Sequence, residues 1–241
     1  MMLSLCCLLL CFSHVEMFTV SSDQHIAAEA AKDVTIKCTF TGNGDSNPTV
    51  IWEKVGVSQT VHKYQENKND FSEQHSNYTK RTELRGSLVN KGDASLTLKN
   101  VNIWDEGTYM CRVSTHGGFG EASVDLSVWA TNNDGIHIFW KSEHDREVLS
   151  CQSEGLYPEP KVSWVDKYGQ NLDEDCETTL TRDDKGLFKV QHDLKKWHDS
   201  RNQYICSVHH EFHAVPQLAR VAFTDGRTIV RVDDGNASSD L

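Results

Sequence analysis

Val34, Ile36, Cys38 and Phe40 alternate with Thr35, Lys37 and Thr39, a period of two that turns one side of a strand to a core and the other to water. The same alternation returns at Val50 and Trp52, at Leu96 and Leu98, at Tyr109, Cys111 and Val113, and at Val124, Leu126 and Val128. Turn-forming stretches such as Gly42-Asn43-Gly44-Asp45 separate these runs, and none carries the spacing of a helix. Short alternating strands joined by turns predict an antiparallel sandwich. A polar connection around Asn132 and Asn133 leads to a second series: Ile136 and Ile138, Val162 and Trp164, Phe188 and Val190, then Tyr204, Cys206 and Val208.

Asp105-Glu106-Gly107-Thr108-Tyr109-Met110-Cys111 is the sharpest local signature. Tyr109 stands two residues before Cys111, the placement of a tyrosine corner, whose hydroxyl bonds back to upstream backbone. Cys38, Trp52 and Cys111 then share one explanation. Two sheets pack about 10 Å apart, the cysteines bridge them, and the indole lies on the sulfurs. Closing so long a loop is worth about 4 kcal/mol in the loop-entropy relation. The wide interval from Trp52 to Leu96 leaves room for two additional strands, the nine-strand form. Cys151, Trp164, Tyr204 and Cys206 repeat the pattern over a shorter interval, which fits the seven-strand form. The expected division is a first sandwich at 23–129, a linker at 130–133, a second sandwich at 134–225 and a polar tail at 226–241.

Met1 to Phe12 is apolar and uncharged, too short to span a bilayer, and followed by polar residues. It reads as a secretory signal peptide within residues 1–22, cleaved between about residue 15 and residue 23. No second apolar run of about 18 residues occurs. The expected location is extracellular: secreted as written, or on the external side of the plasma membrane if a longer form carries an anchor. Of the eight cysteines, Cys6, Cys7 and Cys11 leave with the signal. Cys38, Cys111, Cys151 and Cys206 form the disulfide framework of an oxidising compartment, and Cys176 is left over. A net charge of −11 argues against nucleic acid or anionic lipid as partner.

A family resemblance rests on particular strings. Cys151-x-x-x-Gly155-Leu156-Tyr157-Pro158-x-Pro160-x-Val162-x-Trp164, with Tyr204-x-Cys206-x-Val208-x-His210, resembles constant-type immunoglobulin domains. Val61-His62-Lys63-Tyr64, Tyr78-x-x-Arg81-Thr82-x-Leu84 and Gly92-x-Ala94-Ser95-Leu96-x-Leu98 are similar to the variable domain of butyrophilin-like T-cell co-signalling ligands, the B-seven family. The resemblance implies an all-β fold of two tandem immunoglobulin-like sandwiches with Greek-key connections, V-type then C1-type. It implies a ligand that binds a lymphocyte receptor and modulates T-cell activation, with the first domain docking and the second as spacer. A soluble decoy, or a self-associating adhesion module, are the rivals on the same fold. It also implies an Arg81–Asp105 ion pair at one end of the first sandwich and a structural role for His210.

Catalytic chemistry finds no support: there is no Gly-x-Ser-x-Gly elbow and no phosphate loop, so neither an enzyme nor a cofactor is expected. His209-His210-Glu211-Phe212-His213 misses the His-Glu-x-x-His spacing of a zinc helix, and no metal is expected there. Asn77-Tyr78-Thr79 and Asn236-Ala237-Ser238 are glycosylation acceptors in an exported chain. Acidic neighbours in Asp173-Glu174-Asp175-Cys176-Glu177 should raise the Cys176 thiol and blunt its reactivity. Receptor contact is expected at the hairpin loop of Ser114, Thr115, His116, Gly117, Gly118, Phe119 and Gly120. Its glycines permit φ > 0 and a bulge, which would hold Phe119 at a rigid tip as an anchor. Tyr64, His62 and Glu53 are expected beside it on the same sheet.

Overall fold

The computed structural model describes residues 18–41, 47–57, 59–131, 134–144, 146–197, 203–212, 215–224 and 227–233. Residues 1–17 of the expected signal peptide, the expected turn at 42–45, residues 132 and 133 of the expected linker, His213 and Asn236 lie outside them. The described residues group into two compact units. One is built on residues 35–98 and 107–125; the other takes the chain from Leu126 together with 27–34 and 99–106.

The first sandwich opens with β1 (Val20–Ser21), β2 (His25–Glu29), β3 (Val34–Ile36), β4 (Thr39–Phe40) and β5 (Thr49–Lys54). It continues with β6 (Gln59–Gln65), β7 (Lys68–Asp70), β8 (Thr82–Leu84) and β9 (Leu96–Leu98), and closes with the long hairpin of β10 (Gly107–Thr115) and β11 (Gly118–Trp129). One sheet runs β2-β11-β10-β5-β6-β7, another runs β3-β9-β8, and β1 pairs with β4. β6 and β7 fill the interval after Trp52, as the nine-strand reading expects. Cys38 and Cys111 are bonded across 73 residues with Cα atoms 6.5 Å apart. Cys111 lies opposite Trp52 in the β10–β5 register, which sets the indole and the bridge on the same inner face. The Trp52 Nε1–H donates to the Ala94 carbonyl at 2.9 Å, so the largest core side chain keeps its one polar group satisfied.

The N-terminal boundary lies further upstream than the expected residue 23. The Thr41 N–H donates to the Thr19 carbonyl at 2.9 Å, and Val20 and Ser21 pair with Phe40 and Thr39. Ser22 Oγ donates to the Ser123 carbonyl at 2.9 Å. Residues 18–22 therefore belong to the sandwich. In the sequence they run on from the apolar leader, so local composition conceals where the fold begins.

The second sandwich comprises β12 (His137–Glu143), β13 (Arg146–Leu156), β14 (Lys161–Asp166) and β15 (Cys176–Arg182). β16 (Phe188–Leu194), β17 (Gln203–His209), β18 (Gln217–Thr224) and β19 (Arg227–Asp233) complete it. The sheets are β12-β13-β16-β15 and β14-β17-β18-β19. The first places β15 beside β16, as in constant-type domains. Cys151 and Cys206 are bonded across 55 residues, and Trp164 lies opposite Cys206 in the β14–β17 register. Trp164 Nε1–H donates to the His192 carbonyl at 3.0 Å, repeating the first sandwich. One expectation fails here. Arg227–Asp233 is not tail but strand, paired antiparallel with β18 from Thr224 opposite Arg227 to Leu218 opposite Asp233. Its alternating β-branched Thr228, Val230 and Val232 favour that state, and their interruption by charge hid it.

Because β1 is part of the fold, protein recovered from culture medium is expected to retain Phe18, as N-terminal peptide mapping would establish. A chain beginning at Asp23 should be less stable by about 1–3 kcal/mol, the scale of losing one or two partly buried apolar side chains. Denaturant unfolding of the two forms measures the difference.

Candidate functional site

Strand alternation builds one exposed face on the six-stranded sheet. Tyr109, Cys111 and Val113 are buried on β10, which turns Met110, Arg112 and Ser114 outward. On β5, buried Val50 and Trp52 leave Ile51 and Glu53 on the outer side. Met110 lies opposite Glu53, and Arg112 opposite Ile51. On β11, buried Val124 and Leu126 set the phase that exposes Phe119, Glu121, Ser123 and Asp125. One guanidinium laces the three strands: Arg112 Nη1 donates to Glu53 Oε2 at 2.5 Å, and Nε donates to Glu121 Oε2 at 3.2 Å. Ion pairs this exposed contribute about 0–1 kcal/mol each. Their effect is to hold Arg112 in one orientation. Phe119, two residues before Glu121 on β11, is 62% exposed. Further across the sheet, Lys63 Nζ donates to Glu73 Oε2 at 3.3 Å.

The expected contact residues divide. His116 is exposed, yet the turn is only His116 and Gly117, between β10 and β11. Phe119 is therefore a strand residue on the sheet face, not a loop tip. Gly118 and Gly120 also have a different purpose from the one expected. A Cβ on Gly118 would stand 2.7 Å from the Phe18 Cβ, and one on Gly120 would stand 2.8 Å from Val20 Cγ2. These glycines admit the N-terminal segment, which crosses β11 at close range.

His62 and Tyr64 do not reach the exposed face. They are 0% and 2% exposed, because they lie opposite Trp52 and Val50 on β5 and share their inward direction. The outward place between them belongs to Lys63, whose side chain is partly buried beside Asp70 and Glu73. The His62 ring nitrogens lie 2.9 Å from Thr82 Oγ1 and 3.0 Å from Asn69 Oδ1. Glu53 does reach the exposed face. Arg112, Glu121, Met110 and Ile51 share that face without having been singled out, although the alternation that marks the core also marks them.

The remaining residues are local. Asn77 is exposed in the short 3-10 turn Ser76–Tyr78, and its carbonyl accepts from Arg81 Nη1 at 3.0 Å. Asp105 is buried, and its Oδ2 accepts from the Asn102 N–H at 2.9 Å, capping the turn before β10. The Tyr109 hydroxyl meets that of Tyr78 at 3.3 Å. His210 is buried, its Nε2 on the Tyr157 carbonyl and its Nδ1 accepting from the Phe212 N–H at 3.3 Å. Cys176 is a half-buried free thiol. Burial, more than its acidic neighbours Asp173, Asp175 and Asp193, pushes that thiol up to about 12.

Comparison with known proteins agrees with the paired sandwiches. Residues 21–129 match the immunoglobulin V-set domain, and residues 133–215 match the C2-set domain described as "Butyrophilin subfamily 3 member A2-like, Ig-C domain". The chain is a butyrophilin-like member of the immunoglobulin superfamily. It is 34% identical over 145 residues to V-set domain-containing T-cell activation inhibitor 1 of Rattus norvegicus, covering 60% of this chain and 51% of that protein. It is 25% identical over 206 residues to human butyrophilin-like protein 2, covering 85% of this chain and 42% of the relative. This butyrophilin-like chain thus spans about half the length of the curated relatives it matches. The crystal structure of bovine butyrophilin superposes with a TM-score of 0.74 at 24% identity, over 86% of this chain and 99% of that one. Among the described residues, no helix is long and apolar enough to cross a membrane.

His62 makes a pH prediction. Burial lowers the imidazole pKa in the folded state, with the Asn69 hydrogen bond opposing in part, while the unfolded chain titrates near the ordinary value of about 6.5. As pH falls through that value the unfolded state takes up the proton first, so the contribution of neutral His62 is lost in acid. His62→Gln is expected to flatten the fall of the unfolding midpoint below about pH 6.5, read by thermal unfolding across a pH series.

Proposed function

We propose that this chain is an extracellular ligand that docks on a lymphocyte surface receptor through the outer face of its six-stranded sheet and thereby modulates T-cell activation. The observation that carries the reading is Phe119, exposed two residues before the Glu121 that, with Glu53, orients Arg112. Aromatic and arginine side chains dominate the energetics of protein interfaces. An arginine held in place before binding gives up less conformational freedom on docking. Met110 and Ile51 add apolar surface between them. Two intramolecular disulfides suit an oxidising, extracellular setting. The relatives named as T-cell activation inhibitors and as butyrophilin-like proteins support the class of partner.

The test is a binding screen of the purified two-domain protein against lymphocyte receptors, followed by substitution on the face. Phe119→Ala and Arg112→Ala are each expected to weaken binding about tenfold or more while leaving the unfolding midpoint within experimental scatter. Full affinity in both variants would assign docking to another surface.

A further inference from the structure

At one edge of the second sandwich, three metal-ligating atoms converge. A carboxylate oxygen of Asp173, Cys176 Sγ and a ring nitrogen of His192 all lie within 4.8 Å of one another. Asp173 comes from the 3-10 turn Asp173–Asp175, Cys176 opens β15 directly after it, and His192 lies on the neighbouring β16. Thr178 is opposite His192 and Cys176 opposite Leu194, so Cys176 and His192 are diagonal neighbours on one face of the pair. The His192 side chain is 4% exposed. Its Nδ1 lies 2.8 Å from Thr178 Oγ1, which turns Nε2 toward Asp173 Oδ1 at 3.3 Å. Asp173 is positioned in turn by the Trp164 N–H on Oδ1 at 3.0 Å and by Asn171 Nδ2 on Oδ2 at 2.9 Å.

We propose that Asp173, Cys176 and His192 hold one zinc ion, with solvent as the fourth ligand. Zinc takes nitrogen, oxygen and sulfur ligands at about 2.0–2.3 Å in tetrahedral array. That geometry sets a nitrogen and an oxygen ligand roughly 3.3 Å apart, which is the separation already found between Nε2 and Oδ1. The thiol must only turn from the Leu172 carbonyl, to which it donates at 3.2 Å. Thiolate with imidazole favours zinc over calcium or magnesium, which prefer oxygen alone. The outer partners are of the kind zinc sites use: a hydroxyl on the far nitrogen of the histidine, and two donors on the carboxylate. The Asp173 side chain is 38% exposed, which gives the ion a route in from solvent. Without an ion, burial and three carboxylates keep the thiol protonated. A divalent cation reverses that balance, binding the thiolate and releasing its proton to water.

Cobalt(II) serves as the spectroscopic probe. Titrating the metal-free two-domain protein with Co²⁺ is expected to produce a thiolate-to-cobalt charge-transfer band that saturates at one ion per chain and is displaced by Zn²⁺. Cys176→Ser should abolish the band, and Asp173→Asn should retain it with about tenfold or greater loss of affinity. Zinc should raise the unfolding midpoint of the native protein and leave Cys176→Ser unmoved, with circular dichroism checking that each variant is folded. If Cys176→Ser fails to fold, the weakened band in Asp173→Asn decides the question. No band at one equivalent, a band of equal affinity in Asp173→Asn, or equal stabilisation of native and Cys176→Ser protein would overturn the site.

Discussion

Each sandwich is organised around a disulfide that crosses the gap between two sheets and an indole seated in register beside it. Cys111 faces Trp52 in one, and Cys206 faces Trp164 in the other. Both indoles also donate across the core to a backbone carbonyl, at Ala94 and at His192. Covalent cross-link, bulky ring and hydrogen bond meet at one point, and together they fix which strand residues face inward. A slip by one residue would turn every side chain of a strand to the opposite face. With domain stabilities of about 5–15 kcal/mol, a cross-link worth about 4 kcal/mol is a large share of what resists that slip.

The exposed face of the six-stranded sheet follows from this constraint. Once Tyr109, Cys111 and Val113 are committed to the core, Met110 and Arg112 have no direction but outward. The same phase on β6 takes His62 and Tyr64 inward and turns Lys63 to the outer side, where it pairs with Glu73. Gly118 and Gly120 express the constraint differently, because there the place a β11 side chain would take is occupied by the side chains of Phe18 and Val20. The surface is thus largely the complement of the core.

The second sandwich shows how polar groups enter such a fold without being stranded. Asp193 is buried, and its carboxylate receives Lys141 Nζ at 2.7 Å and Ser150 Oγ at 2.7 Å. Lys141 also pairs with Glu143 at 2.6 Å, and Lys141 and Lys195 together hold the Glu143 carboxyl down at about 2. A buried charge tolerates this position only with partners on its remaining lone pairs. One residue earlier on the same strand, His192 is fixed by Thr178 and Asp173, so β16 carries polar side chains to two separate networks.

Much of the fold was legible in the sequence because period-two alternation and the Cys-Trp-Cys spacing are local signals with a single structural meaning. They identified the two sandwiches, both disulfides, the core tryptophans and the extra strands after Trp52. Boundaries were less legible: Phe18 to Ser22 merge with an apolar leader, and the β19 pattern is broken by charge. The site divided along the same line. Phe119 and Glu53 do lie on the outer face, as read from sequence, but Tyr64 and His62 point inward, because motif membership says nothing about side-chain direction. Direction is set by cross-strand register, which depends on the bridge between sheets. The convergence of Asp173, Cys176 and His192 is likewise a product of tertiary structure, since only the pairing of β15 with β16 brings the histidine to a cysteine and an aspartate distant in sequence.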